Sequence, residues 1–227
     1  MSVVVAVRDE DQIWLAADSQ VTQGYTKKLL LSSNSFKICK SPLNTNIGGV
    51  GSLRDMNILS TADIEFISER DVLKNEITFR NIVRDTVPTI FNELALHGRL
   101  YNNNEIRSMD SSFIIANAES CYEICCDGGV LELDDMFAIG SGGDAAESAY
   151  TILKDSGLSA KEIAIKCVMA SCERDLFVNY PIIITSTKID NFQYFDGYEL
   201  FDISTEGEVV SLGMPFETEC DCCNDEE

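Results

Sequence analysis

The order of elements along the chain predicts an α+β fold: two antiparallel sheets packed face to face, with helix pairs outside, a four-layer αββα sandwich. Three observations carry this prediction. Strand-forming runs come in three blocks rather than alternating singly with helices, which argues against a doubly wound parallel sheet. Each of the two regions between those blocks reads as a pair of helices. No internal repeat divides the 227 residues, whose 45% hydrophobic content is enough for one sizeable core.

SVVVAVR (2–8) is a β-branched run at the very start, where chains usually fray. With QIWLAAD (12–18) it flanks the turn Asp9-Glu10-Asp11, so the two read as a hairpin. SFKICK (35–40) alternates apolar with polar, and TNIGGVGS (45–52) is a short strand ending in glycines. Two helices follow. In the second, Phe79, Ile82, Val83, Val87, Ile90, Phe91 and Leu94 recur at spacings of three and four, with a kink predicted at Pro88. RLYNNNEIRSMD (99–110) reads as a loop.

Strands return with SSFIIANA (111–118), SCYEICC (120–126), a Gly128-Gly129 turn and MFAIGS (136–141). The next helix places Ala145, Ala146, Ala149, Tyr150 and Leu153 on one face. Its partner opens with a capping box, Ser159 to Glu162, and a hydrophobic staple, Leu158 to Ile163. PIIITST (181–187) is an apolar strand, and FQYFDGYELFDI (192–203) carries an Asp196-Gly197 hairpin signal. A single domain over 1–212 is predicted, with 213–227 an acidic, disordered tail.

The net charge of −21 excludes a role on nucleic acid, where phosphates demand Lys and Arg, and disfavours anionic membrane. No run approaches the ~20 apolar residues of a membrane span. SVVVAV lacks a basic region before it and is followed by polar DEDQ, so no secretory leader is expected. A cytoplasmic protein follows as the expectation. The nine cysteines suit it, because Cys39, Cys167 and Cys172 sit in apolar patterns as small hydrophobes.

The one histidine, His97, ends a helix beside Gly98 and reads as a helix C-terminal cation. Ser-His-Asp and Cys-His chemistry are therefore not supplied. Cys220, Cys222 and Cys223 lack a second pair at zinc-finger spacing, and no metal or cofactor is expected. Gly140-Ser141-Gly142-Gly143-Asp144-Ala145 fits G-x-G-x-x-A, but its helix leads to another helix rather than to a parallel strand. A tight turn presenting amides and the Ser141 hydroxyl is the better reading.

Ser2 follows the initiator Met, and a residue this small permits Met1 removal. The exposed α-amine would have a pKa near ~8, so it can serve as a base within one residue of its own hydroxyl. Many chains begin Met-Ser without such a role. Taken singly, Asp18 can simply end a strand, Lys37 can be solvated, and Gly51 can be a turn glycine.

Together with their surroundings, these residues acquire a different meaning. SVVVAVR, IWLAADSQVTQG, FKICK, GVGSLRD, FAIGSGGDAAESA, GLSAKEIAIKC and ERDLFVN, in that order, resemble the proteasome β-subunit and HslV peptidases, especially HslV, over residues 2–187. The resemblance implies an N-terminal-nucleophile hydrolase fold and a threonine-type peptidase with serine as nucleophile. It places Ser2 at the nucleophile and Asp18 beside Lys37, whose cation would keep the amine neutral. It gives Gly51 the oxyanion-hole amide, and places Ser141 near the terminal amine, with Gly142 beside it and Asp175 orienting the group. Val21, Ser35, Gly49 and Leu53 would line the specificity pocket, left open to bulky apolar side chains by Gly49.

The sequence departs from the family at Ser2 itself, whose rotamer lacks threonine's restricting methyl. It departs again at Val178, where a hydroxyl residue is usual, and in an extension over 188–212. The resemblance implies stacked hexameric or heptameric rings of this chain, polypeptide substrates and an ATP-dependent unfoldase ring as partner. The chain itself has no G-x-x-x-x-G-K-[ST]. An inactive ring-forming subunit and a small-molecule amidohydrolase of the same fold are the alternatives.

Overall fold

The computed structural model describes residues 2–32, 36–41, 45–62, 78–103, 106–203 and 209–213. At its centre, β1 (Val4–Arg8) and β2 (Ile13–Asp18) form the predicted hairpin, Val4 opposite Ala17 and Arg8 opposite Ile13. Val3, Val5 and Val7 point into one core, while Val4 and Ala6 point into another. Both faces of β1 are buried, which explains the absence of polar alternation in SVVVAVR and why this terminus is held.

The seven-stranded sheet runs β12 (Met136–Ile139), β1, β2, β13 (Ile182–Ser186), β14 (Phe192–Phe195), β15 (Leu200–Ile203) and β16 (Val209–Gly213). The five-stranded sheet runs β11 (Val130–Glu132), β10 (Cys121–Ile124), β9 (Ser112–Ala116), β6 (Thr45–Val50) and β5 (Ile38–Ser41). Every neighbouring pair is antiparallel.

Three cores separate four layers. Val4, Leu15, Ile38 and Ile114 belong to the core between the sheets. On the outer face of the larger sheet lie α4 (Gly143–Leu153) and α5 (Ala160–Arg174), which contribute Ala146, Ile163, Ala164 and Val168. On the outer face of the smaller lie α1 (Leu53–Thr61) and α3 (Val87–Leu96), which contribute Met56, Leu59, Ile90 and Leu94. The predicted αββα sandwich is the observed one.

The capping box of α5 is formed: Ser159 N–H donates to Glu162 Oε2 at 2.8 Å and Glu162 N–H donates to Ser159 Oγ at 3.3 Å. Elsewhere the chain departs from expectation. The helix predicted around Pro88 is three segments, α2 (Phe79–Asn81), a π-helical turn (Ile82–Thr86) and α3. The irregular turn precedes Pro88, whose ring nitrogen cannot donate back into it.

The segment 99–110, expected to be a loop, contains a small hairpin of β7 (Tyr101–Asn103) and β8 (Ile106–Ser108). A second small hairpin, β3 (Gln20–Gln23) and β4 (Thr26–Leu29), turns at Gly24, whose φ is +59°. Its outer residues are polar and exposed, so no apolar alternation announced it. Ser35 and residues 214–227, which hold most of the predicted tail, lie outside the described residues.

Candidate active site

The end of β2 delivers Asp18 beside the start of β1. Its carboxylate is fully buried and accepts from three directions: Val3 N–H to Oδ1 at 2.9 Å, Gln20 N–H to Oδ2 at 3.0 Å, and Lys37 Nζ to Oδ1 at 2.6 Å. Lys37 Nζ also donates to the Gln20 carbonyl at 2.6 Å. Its backbone is fixed to the other sheet, since its carbonyl accepts from Gly49 N–H at 2.9 Å. The Lys37 side chain is only 5% exposed, so the apolar-polar alternation of SFKICK points it inward rather than to solvent.

Burial lowers the Lys37 ammonium below the usual lysine range, against the opposing pull of Asp18. Burial likewise raises Asp18, with Lys37 pulling the other way. Enclosed together, the two contribute little net stability, because desolvation cancels much of the pair's attraction. Burial pushes the thiol of nearby Cys172 up to about 12, as it does those of Cys39 and Cys167, so these cysteines behave as the hydrophobes they resemble.

The Gly140-Ser141-Gly142 turn closes over the other side of Ser2. Ser2 N–H donates to Ser141 Oγ at 3.2 Å, and Ser141 Oγ donates to Asp175 Oδ2 at 2.5 Å. Gly142 N–H reaches the Ser2 carbonyl at 3.3 Å. A Cβ on Gly140, where φ is +98°, would stand 2.2 Å from the Ser2 carbonyl oxygen; one on Gly142 would press on Ser171 and Val3. The glycines of this G-x-G-x-x-A stretch therefore serve close approach to the first strand, not a dinucleotide. Asp175 caps α5, and its second oxygen accepts from Phe177 N–H at 2.9 Å. Val178, where a hydroxyl was missed, is 1% exposed and packs in the core beneath α5.

Ser2, Lys37 and Gly51 line one cleft of about 520 Å³, shared with Val21, Gly49 and Leu53. Ser141, which is not among the residues lining this cleft, accepts from the Ser2 N–H and is itself held by Asp175. Of the ten residues singled out from the sequence, only Ser35 falls outside the described chain. The cleft differs from expectation at its floor. A Cβ on Gly49 would lie 2.0 Å from Met56 Sδ, so the space that Gly49 was expected to leave open is filled by Met56. Sequence reasoning missed Met56, and also Gln20, which lines the cleft and is 3% exposed. Met56 follows directly on the quoted GVGSLRD, and its position in the first turn of α1 was the available signal.

This sandwich of two antiparallel sheets between helix layers, with the second residue leading into a buried strand, is an N-terminal-nucleophile hydrolase fold. The family model described as proteasome subunit matches residues 2–186, and the chain belongs to the proteasome-subunit family. Among solved structures, BPH from Thiobacillus denitrificans is similar with TM-score 0.69 and 22% identity, over 81% of this chain and 96% of that one. The same protein in complex with epoxomicin matches at TM-score 0.66 and 22% identity, over 81% and 97%. HslV from Trypanosoma brucei matches at TM-score 0.59 and 26% identity, over 81% and 98%. Family membership supports peptidase chemistry of the N-terminal-nucleophile kind in general. No helix among the described residues is long and apolar enough to cross a membrane.

Proposed function

We propose that the chain is the proteolytic subunit of a self-compartmentalising ring protease, with Ser2 as nucleophile once Met1 is removed. One observation carries this reading: Lys37, paired with buried Asp18, lines the same cleft as Ser2, whose N–H donates to the Asp175-held Ser141 hydroxyl. A buried Lys–Asp pair is weak evidence of stabilisation, because desolvation offsets much of its attraction.

In the proposed reaction, Ser2 Oγ bonds to the scissile carbonyl carbon as its hydroxyl proton passes to the free α-amine. Lys37 keeps that amine neutral beforehand and stabilises the forming alkoxide. The Gly51 amide donates to the carbonyl oxygen as it becomes anionic. The amine then hands the proton to the departing peptide nitrogen, leaving an ester on Ser2. Water, deprotonated by the same amine, cleaves that ester and restores the hydroxyl. Ser141, held by Asp175, keeps the amine oriented throughout.

Substrates under this reading are unfolded polypeptides admitted to a chamber of stacked six- or seven-membered rings, with an ATP-driven unfoldase ring as partner. Val21, Gly49, Leu53 and the flexible thioether of Met56 favour apolar side chains at the cleaved bond. The test is intact mass of the purified protein with and without epoxomicin, which a structural neighbour binds. Loss of Met1 and a single adduct mapped to Ser2 are expected. Retained Met1 without an adduct would overturn the reading and leave an inert ring subunit. A monomer that cleaves small amides but not peptides would replace it with the amidohydrolase.

A further inference from the structure

A second ion pair, with its carboxylate fully buried, lies behind Gly51, on residues to which no catalytic role has been given. Gly51 has φ of +107°, and a Cβ there would stand 2.2 Å from the Asp110 carbonyl oxygen and 2.8 Å from Ser111 Cα. The Gly51 backbone is thus laid against the Asp110–Ser111 peptide. Side chains fasten the two together. Ser52 N–H donates to Ser111 Oγ at 3.0 Å, and Ser111 Oγ donates to Asp55 Oδ2 at 2.8 Å. Arg99 Nε donates to Asp55 Oδ1 at 2.6 Å, while Arg99 Nη2 donates to Ser52 Oγ at 2.9 Å and to Asp110 Oδ2 at 3.4 Å.

Asp55 is fully buried. Ser52 stands at the N-cap of α1, yet its side chain makes no capping bond; the hydroxyl that would accept from the first turn is taken by Arg99 instead. Helix stability has been forgone for a fixed loop. The planar guanidinium fork bonds three partners on two separate segments at once, which fixes geometry as a single ammonium cannot.

We propose that the Asp55–Arg99 pair, acting through Ser52 and Ser111, is a positioning device that sets the Gly51 amide at the oxyanion. This rests on the reading of Gly51 as the oxyanion donor. Arg99 and Asp55 touch no substrate. They hold the donor where charge develops, and a displacement of ~1 Å is enough to cost on the order of 100-fold in rate.

The experiment compares a peptide aldehyde with the matching peptide alcohol on the assembled full chain. The aldehyde carbon bonds Ser2 Oγ, and its oxygen then occupies the oxyanion position; the alcohol binds without forming that bond. In Arg99→Ala, aldehyde affinity and kcat are expected to fall on the order of 10- to 100-fold, with alcohol affinity and KM unchanged. Arg99→Lys should recover part of the loss. Ser52→Ala, which keeps the ion pair and so the fold, should lose aldehyde affinity by roughly several-fold. Equal loss of both ligands, or loss of neither, in whichever variant folds, would overturn the proposal. A wild-type protein that forms no aldehyde adduct on Ser2 would instead overturn the peptidase reading on which it stands.

Discussion

Two ion pairs near the cleft look alike and differ in kind: one reaches the cleft through Lys37, the other stands behind Gly51. Lys37–Asp18 and Arg99–Asp55 both close at 2.6 Å, and both carboxylates are fully buried. The cations differ. Lysine is a compact point charge whose proton burial loosens; arginine keeps its proton under all conditions a protein meets and offers a rigid fork. Correspondingly, Lys37 lines the cleft together with Ser2, while Arg99 stands behind Gly51 and ties separate segments together. Equal distance and equally buried carboxylates therefore say little about role. The proton lability of the cation and the groups it bonds besides its carboxylate say more.

The largest effect expected from breaking this contrast is at Lys37. Lys37→Ala should lower kcat by on the order of 1000-fold or more while rings still form, measured by peptide turnover and size-exclusion chromatography. Leaving Asp18 unpaired costs about 3–5 kcal/mol of stability, which a denaturant midpoint would register. Lys37→Arg should fail nearly as badly, because a site only 5% exposed has no room for the wider fork. Arg99→Lys, the converse exchange, should stay within about 10-fold of wild type. Comparable losses from the two exchanges would erase the distinction between a pair whose cation acts at the reacting atoms and a scaffolding pair.

A smaller effect separates the pairs by pH. Lys37 is useful as a cation, so on the alkaline side activity falls as pH rises through its pKa, while the α-amine, which must be neutral, sets the acid side. Burial has moved that pKa below the ordinary lysine value of 10.5, so the alkaline limb of kcat/KM should lie below pH 10.5. Arg99→Lys adds a second lysine but not at the reacting atoms, so the limb should not move. A limb that shifts with Arg99→Lys would assign the titration to the wrong pair.

The contrast also explains what could be read from the sequence. Ser2, Asp18, Lys37, Gly51, Ser141 and Asp175 lie in short stretches whose order along the chain carries the family resemblance, and β1 announces itself because both its faces are buried. Arg99 and Ser111 had no such signal. Arg99 opens a polar segment that reads as a loop, and it meets Asp55 across 44 positions of chain. Asp55 lay inside the quoted GVGSLRD yet had no partner until folding supplied one. Long-range charge pairs of this sort have no periodicity, whereas strands and amphipathic helices do. The β3–β4 hairpin escaped for a related reason, since Thr26–Leu29 is exposed throughout and has no apolar face to display.

The smallest effect concerns the cleft floor, which belongs to neither pair. Met56 is 4% exposed and packs between the outer core of the smaller sheet and Gly49. An unbranched thioether adapts to what lies against it, so several apolar side chains should be accepted at the cleaved bond. Met56→Leu conserves volume and should cost less than about 1.5 kcal/mol of stability. It replaces a flexible floor with a branched one, and the ratio of kcat/KM between substrates with Phe and with Leu at that position should change by roughly two- to tenfold. Ser2, Lys37 and Gly51 are untouched, so the rate of adduct formation with a small, non-peptidyl acylating agent should not change. A fall in that rate as well would mean that Met56 supports the Gly51 loop, and the floor would then belong with Arg99 and Asp55 rather than with substrate choice.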